Sequence, residues 1–232
     1  MLRVLLVLGM LGLCACDQSD PGASTRSARP VPSPPALMPN LKFHQLTPDI
    51  FVGPRPSQEH IEELTALGIK KVISVDALPP ESSLWAEAIQ VRHLPLGYRD
   101  LPKPLQLRLA RELSIAPVKT YIHCHHGQHR GPAAALVALR ALGQLDQADA
   151  EAWLDRCGVV YEGLRQAVKD AQPESPQDIQ SALPLEEAVA TRSLSRLMAE
   201  IDQVWDRLKK VPSPDDPNRR TQKEDAAHFR RA

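Results

Sequence analysis

The chain has 232 residues, and its 28 Lys and Arg balance 28 Asp and Glu, so the formal net charge is zero. This balance argues against a general affinity for nucleic acid or for an acidic surface. Hydrophobic residues make up 43% and charged residues 24%, which argues against a polytopic membrane protein or a wholly disordered chain. Four Cys do not form a disulfide scaffold in a chain this long, so each Cys needs its own explanation.

The N-terminus has the pattern of an export signal. One Arg precedes an apolar run from Val4 to Leu13, and the segment ends with LCAC at residues 13–16. The run is too short for a membrane-spanning helix, which needs about 20 apolar residues, so we expect a signal peptide over residues 1–15. A plain signal peptide cleaved nearby or an apolar N-terminal strand are the alternatives.

The LCAC ending resembles the lipobox of bacterial lipoproteins, which implies that Cys16 is lipidated and becomes the new N-terminus. Asp17 follows it, a residue that in some bacteria is associated with retention at the inner membrane. The resemblance therefore implies a protein anchored to the cell envelope, on the periplasmic side. Residues 16–40 carry six Pro among small and polar residues and are predicted to form an extended tether.

Residues 41–172 alternate strand-like and helix-like segments. This rhythm predicts an α/β domain with three α/β/α layers and a central, mostly parallel sheet. The predicted strands are Ile50–Val52, Val72–Val75, Val91–Leu96 and Thr120–His123. Three helices are predicted. The first begins after Ser57 and ends at Gly68, the second covers Leu105–Leu113, and the third runs from Pro132 to Gly143.

The last of these strands leads directly into HCHHGQHRG, and the apolar helix follows. The spacing is H-C-x-x-G-x-x-R, with Cys124, Gly127 and Arg130 at its fixed positions. A loop between a strand end and a helix start can turn its backbone N–H groups inward and bind a phosphate dianion. Those amides would come from His125, His126, Gly127, Gln128, His129 and Arg130.

The side chains of this loop suit nucleophilic chemistry on phosphorus. A thiol at the centre of such a cradle is stabilised as the thiolate, so Cys124 is the candidate nucleophile. The planar guanidinium of Arg130 can hold two phosphoryl oxygens at once. Gly127 lets the backbone turn close to the ligand.

At these residues the chain resembles the cysteine-dependent phosphatase superfamily, the protein tyrosine and dual-specificity phosphatases, over roughly residues 41–172. The resemblance implies a phosphocysteine intermediate and no metal or cofactor. It also implies that His123 fixes the loop by hydrogen bonding, although an ordinary strand histidine is an equal alternative. The general acid of the family is an Asp upstream of the loop; Asp100 in GYRDLPKP is the first candidate and Asp76 the second. Tyr98 and Arg99 flank the same predicted pocket.

Two features depart from the family pattern. Gly131 stands where the family usually has a Ser or Thr whose hydroxyl helps the thiolate leave, which favours slow turnover or a non-catalytic phospholigand-binding module as the alternative. Several possible metal ligands, His123 to His126 and His129, also lie within seven residues. We predict no metal site, because consecutive ligands lack the separated spacing of structural zinc sites; a His/Cys metal-binding domain is the less favoured alternative. Rhodanese-type sulfurtransferases are a weaker rival.

The remaining segments carry less information. Cys157 is predicted to be a small buried hydrophobe, with oxidation chemistry together with Cys124 as the alternative. Residues 173–232 are predicted to form an extension with an amphipathic helix over Leu185–Val211 and a loose tail. That helix either packs on the flank of the domain or binds a partner. The predicted substrate is a phosphorylated protein, at tyrosine or at serine and threonine, or a small phosphate ester, without nucleic acid as a partner.

Overall fold

A computed structural model describes residues 42–81, 85, 89–115, 117–189 and 193–209. The predicted signal peptide, Cys16, the tether and the end of the chain after residue 209 lie outside these residues. Within the described ranges, no helix combines the length and the apolar composition that a membrane span requires.

The described strands are β1 (His44–Gln45), β2 (Ile50–Gly53), β3 (Lys71–Ser74), β4 (Gln90–His93) and β5 (Thr120–His123). The described helices are α1 (Gln58–Ala66), α2 (Lys103–Ile115), α3 (Arg130–Ala141), α4 (Gln147–Cys157), α5 (Glu162–Asp170), α6 (Pro176–Ser181) and α7 (Ser193–Lys209). The four strands predicted from the sequence all form, although β4 ends at His93 rather than at Leu96. Strand β1 and helix α6 are too short to give a periodic signal.

The strands form one sheet in the order β1-β2-β5-β3-β4, in which only β1 is antiparallel to its neighbour. His123 at the end of β5 pairs with Gly53 of β2 on one side and with Ser74 of β3 on the other. The carboxyl ends of three parallel strands therefore meet where Cys124 begins. Open α/β sheets bind their ligands at such points, where neighbouring connections leave in opposite directions.

Alternating side chains of β5 build a core on each face of the sheet. Tyr121 packs in a cluster with Leu64 of α1, and Ile122 packs in a second cluster with residues of α2 to α5. All twelve residues of α3 are buried. The predicted three-layer α/β/α architecture with a mostly parallel sheet is confirmed.

The packed part of the chain continues past residue 172. Leu185 is buried in the larger core cluster, and the next residue pairs with the edge strand β4, where the backbone N–H of His93 donates to the carbonyl of Glu186 over 2.7 Å. The backbone N–H of Val189 donates to His93 Nδ1 over 3.0 Å. The prediction of a helix from Leu185 is therefore wrong at its start, because these residues bind the sheet edge, and α7 begins only at Ser193.

Helix α7 does not place its apolar face on the domain. Its apolar side chains that the structure describes are between 45% and 59% exposed: Leu197, Met198, Ile201, Val204 and Trp205. This observation contradicts packing of the helix on the flank of the domain through its apolar stripe.

Candidate active site

Cys124 lies at the base of the loop that joins β5 to α3. The residue is 3% exposed, and the loop runs from Cys124 to His129 before α3 begins at Arg130. Among the described residues, no protein group accepts a hydrogen bond from the backbone amides of residues 125–130. Consecutive backbone amides without acceptors at a strand end are suited to bind an anion.

Gly127 is the point where this loop touches the end of β2. Its φ is +75°, and a Cβ atom there would lie 2.2 Å from the backbone nitrogen of Pro54. No side chain fits into that contact, so glycine is required for both reasons. The loop is also fixed by the backbone N–H of Arg55, which donates to the carbonyl of His125 over 3.1 Å.

Three buried or half-buried charged residues lie beside the loop; we call Asp76, Arg55 and Arg130 the buried charge cluster. Arg130 Nη2 lies 3.1 Å from Asp76 Oδ1, and Arg55 Nη2 lies 3.0 Å from Asp76 Oδ2. The buried Nε atoms of both arginines have no hydrogen-bond partner within the described part of the chain. Each guanidinium therefore retains a donor for a bound anion.

Asp76, the second candidate for the general acid, occupies the centre of this cluster. Burial alone would raise the pKa of its carboxyl group, but His125, Arg55 and Arg130 hold that pKa well below its usual range. Asp76 is therefore a permanent carboxylate at neutral pH and orients the guanidinium of Arg130. A group that stays ionised does not supply a proton to a leaving group.

His93 forms a hydrogen bond to the backbone of Asp76. Because His93 Nδ1 accepts the N–H of Val189, the proton of the neutral ring is on Nε2, which donates to the carbonyl oxygen of Asp76 over 2.9 Å. Burial lowers the pKa of His93 and keeps the ring neutral. The segment after α6 is thereby linked to the cluster.

His123 is fully enclosed in the sheet. Its ring stacks against Tyr121 with centroids 6.1 Å apart, and neither ring nitrogen has a side-chain or backbone partner among the described residues. Burial lowers the pKa of His123 to about 4, so the ring is neutral. Within the described residues, no hydrogen bond of good geometry is present by which His123 would fix the loop, although the backbone of Cys124 is near enough to oppose the lowering of the His123 pKa by burial.

Aromatic side chains surround Arg130 on the solvent side; we call Tyr98, His129 and Tyr161 the aromatic rim. The guanidinium carbon of Arg130 lies 4.6 Å from the centroid of the Tyr98 ring, and Tyr98 and Tyr161 have centroids 4.3 Å apart. His129 packs edge-on against Tyr161 at 4.8 Å. The rim therefore brings together the loop between β5 and α3, the β4–α2 connection and the start of α5.

Asp100 lies in that β4–α2 connection, two residues after Tyr98, and is exposed. The backbone of the preceding residue, Arg99, packs directly on α5: a Cβ atom on Gly163 would lie 1.5 Å from the Arg99 carbonyl oxygen. The absence of a side chain at Gly163 lets the Asp100 loop lie this close to the helix.

Helix α7 reaches the loop through one carboxylate. Asp206 Oδ2 lies 2.7 Å from His125 Nε2, and the opposite ring nitrogen of His125 lies 3.7 Å from Asp76 Oδ2. These two carboxylates raise the pKa of His125 above its ordinary value.

Neither Asp206 nor Arg55 was among the predicted site residues. Arg55 could have been predicted as a site residue, because it follows β2 directly at the same edge of the sheet. Asp206 could not, because nothing in the sequence connects it with the loop.

Two further predicted residues are placed by the structure. A Cβ atom on Gly131 would lie 3.4 Å from the backbone nitrogen of Cys124, an ordinary contact, so a Cβ atom can be accommodated next to the residue that carries the thiol. Cys157 is free and buried in the core, and burial raises the pKa of its thiol to about 12. Cys157 is therefore an un-ionised, poorly nucleophilic thiol at neutral pH.

Comparison with solved structures finds chains of similar fold. They include the core catalytic domain of the PP-IP phosphatase SIW14 from S. cerevisiae (20% identity, TM-score 0.49, covering 62% of this chain and 95% of that chain). They also include TpbA from P. aeruginosa (20%, 0.43, 57% and 93%) and the human tyrosine phosphatase-like serine/threonine/tyrosine-interacting protein (16%, 0.44, 55% and 93%). No family model and no curated protein sequence matches the chain. Since these similarities are low, the functional argument depends on the geometry of the loop.

Proposed function

We propose that the chain is a cysteine-dependent phosphatase that hydrolyses phosphate monoesters without a metal or cofactor in the chemical steps. The observation that carries this proposal is the loop at residues 124–130. It combines a buried thiol at the end of the central strand with the Arg130 guanidinium held by Asp76. Within the described ranges, six backbone amides of this loop have no protein acceptor and Arg130 Nε has no partner. This arrangement suits an anionic, tetrahedral group next to a sulfur nucleophile.

In the first step the Cys124 thiolate attacks phosphorus. A sulfur–phosphorus bond forms while the phosphorus–oxygen bond to the leaving group breaks, and the loop amides with Arg130 hold the equatorial oxygens. The leaving oxygen takes a proton from a general acid. The product is a phosphocysteine and the free alcohol or phenol.

In the second step water attacks the phosphocysteine. The general acid, now a carboxylate, takes a proton from this water, the sulfur–phosphorus bond breaks, and the thiolate and inorganic phosphate are restored.

We assign the proton transfer to Asp100. Asp76 is occupied by two guanidinium groups and remains a carboxylate. Asp100 is exposed and lies in the connection that carries Tyr98, whose ring contacts Arg130. Asp100 is thus held by no ion pair among the described residues, and its connection meets the Arg130 side chain through Tyr98.

The aromatic rim supports an aryl phosphate, such as a phosphotyrosine side chain, as the substrate class. Tyr98 and Tyr161 are 37% and 40% exposed and offer ring faces beside Arg130. Stacked or edge-on aromatic contacts add about 0.5–1.5 kcal/mol beyond area burial. A phosphoserine side chain has no ring to use this surface.

The decisive experiment is Cys124→Ser assayed with an aryl phosphate. A serine hydroxyl is a much weaker nucleophile toward phosphorus than a cysteine sulfur, so we expect turnover to fall by a thousandfold or more. The wild-type protein should bind vanadate and keep its activity in the presence of EDTA. Full activity of Cys124→Ser, or loss of wild-type activity on chelation, would contradict the mechanism.

A second function, binding of a phosphorylated ligand without turnover, is favoured by Gly131, which places no hydroxyl near the sulfur. The same assay separates the two functions. Vanadate binding without any hydrolysis of aryl phosphates would support the binding module and exclude the enzyme.

We also propose, from the sequence of residues 1–40, that the protein is a lipoprotein of the bacterial cell envelope, anchored at Cys16. An acyl chain stabilises membrane binding by about 0.8 kcal/mol per buried methylene. Cys16→Ala should therefore shift the protein from the membrane fraction to the soluble fraction or leave the signal peptide uncleaved. Recovery of the wild-type protein in the soluble fraction would contradict the anchor.

A further inference from the structure

Helix α7 places a carboxylate between two histidines of the catalytic loop. Asp206 Oδ2 lies 2.7 Å from His125 Nε2 and 3.5 Å from His126 Nε2. The three ligand atoms all lie within 4.8 Å of one another. The sequence argument against a metal site concerned consecutive residues of one loop, and Asp206 is 80 residues away from His126.

Two of the three separations between ligand atoms are close to those of a tetrahedral zinc site. Zinc binds His nitrogen and carboxylate oxygen at about 2.0–2.2 Å, which puts neighbouring ligand atoms roughly 3.3 Å apart. The two observed separations, 2.7 Å and 3.5 Å, lie on either side of that value. A hydrogen bond between His125 and Asp206 alone does not explain why the His126 imidazole also approaches Asp206 Oδ2. A shared metal ion would explain both approaches.

Surrounding groups orient two of the three ligands. A metal-bound histidine usually directs its second ring nitrogen at a carboxylate, and here Nδ1 of His125 faces Asp76 Oδ2 at 3.7 Å. The other oxygen of Asp206 accepts a hydrogen bond from Lys209 Nζ over 3.0 Å, which leaves Oδ2 for the metal. His126, the third ligand, is exposed and free to adjust.

We propose that His125 Nε2, His126 Nε2 and Asp206 Oδ2 form a Zn²⁺ site that joins α7 to the Cys124 loop. Three protein ligands leave the fourth position for water or for an anion. Nitrogen ligands favour zinc over Mg²⁺ or Ca²⁺, which take oxygen ligands. Among the residues that the structure describes, α7 makes no hydrogen bond or ion pair with the domain other than those of Asp206, so the ion would determine whether the helix stays on the loop.

The test is metal binding by the full chain, which does not depend on phosphatase activity. The metal-free protein is titrated with Zn²⁺ in competition with a chromophoric chelator. We expect one Zn²⁺ per chain, and binding at least tenfold weaker in Asp206→Ala and in His126→Ala. Asp202→Ala is the matched control, because Asp202 lies one turn away on the same helix and is exposed.

Cys124→Ser distinguishes this site from zinc bound to the catalytic thiolate. The proposed site has no sulfur ligand, so Cys124→Ser should bind Zn²⁺ as the wild type does. Co²⁺ bound to the wild-type protein should show no sulfur-to-metal charge-transfer band. Absence of Zn²⁺ binding, or binding that Cys124→Ser removes and Asp206→Ala leaves unchanged, would overturn the proposal.

Discussion

The buried charge cluster and the exposed connection that carries Asp100 each contribute one carboxylate to the candidate site, and the surroundings of the two carboxylates differ. Asp76 is 3% exposed and bonded to two guanidinium groups, whereas Asp100 is exposed and has no ion pair in the described structure. The structure separates the two carboxylates by their surroundings: Asp76 is fixed as a counter-ion, whereas Asp100, which we propose as the general acid, is held by no arginine among the described residues. We infer that position relative to the arginines, and not residue type, decides the role.

The largest effect that distinguishes the two carboxylates should come from Asp100→Asn. We expect kcat/KM to fall by about 10²–10⁴ on an alkyl phosphate, because an alkoxide needs the proton. On an aryl phosphate with a good leaving group the loss should be less than about tenfold, since the phenolate leaves without help. Steady-state kinetics on both substrates provide the measurement, and equal losses on both would place the acid elsewhere.

Asp76→Asn should instead reduce stability and affect all substrates alike. Removal of the charge leaves Arg55 and Arg130 without their partner, which costs about 3 kcal/mol of unfolding free energy for a buried pair. Turnover should fall by a similar factor on alkyl and aryl phosphates, because Arg130 is no longer oriented. Glu is the matched substitution: Asp76→Glu retains the charge and should recover part of the stability.

The pH dependence of stability provides a second measurement on Asp76. Its pKa is lowered in the folded state, so its contribution is fully present above the unfolded value near 4 and is lost as the pH falls below that value. Denaturant unfolding of the wild type and Asp76→Asn should therefore show a constant difference from pH 7 to about pH 5 and a smaller one at pH 3. A difference that does not change over this range would contradict the assignment of the counter-ion.

The smallest effect is expected at Gly131, and it should be a gain. A hydroxyl donor near the sulfur stabilises the thiolate that forms when water attacks the phosphocysteine, and one hydrogen bond to a charge contributes about 1.5–3 kcal/mol. Gly131→Ser, whose Cβ fits at 3.4 Å from the Cys124 nitrogen, should raise the steady rate on a good aryl phosphate about tenfold to a hundredfold. Stopped-flow traces of the wild type should show a burst of one product per site before slow turnover.

The size of that burst should be the same in both proteins, because the first step does not use the hydroxyl. Gly131→Ala is the control, since it fills the same space without a donor and should leave the steady rate low. If the wild type shows no burst and Gly131→Ser is no faster, another group already stabilises the leaving sulfur.

The parts of the site that are local in sequence could be predicted, and the parts that depend on packing could not. Cys124, Gly127 and Arg130 lie in one strand–loop–helix segment, so their spacing and its context determine their arrangement. The sequence does not decide whether Asp76 or Asp100 is the general acid. That assignment depends on which carboxylate the guanidinium groups of Arg55 and Arg130 contact in the folded protein. Asp206 comes to the loop only through the position of α7, and that helix gives no sign in its own periodicity of which face meets the domain.

The fold shows the same division. Strands β2, β3 and β5 and helix α3 were predictable because all of their residues are buried, so pattern and environment agree. Residues 185–189 have an apolar spacing that fits a helix, but their backbone groups bond to His93 at the sheet edge instead. Tertiary hydrogen bonding there outweighs local preference.

The contact between Gly163 and the Arg99 carbonyl has a consequence for the speed of the catalytic cycle. We expect a connection packed this closely on a helix to stay in place between turnovers, so that Asp100, the proposed general acid, is positioned before any substrate binds. The conformational entropy of this segment is then lost once, when the protein folds, and ordering the segment adds no further cost when each substrate molecule binds. Enzymes that must close a lid often have rates limited by that motion, on the microsecond to millisecond scale. Here kcat should not respond to solvent viscosity, and the protein should bind vanadate in a single kinetic phase.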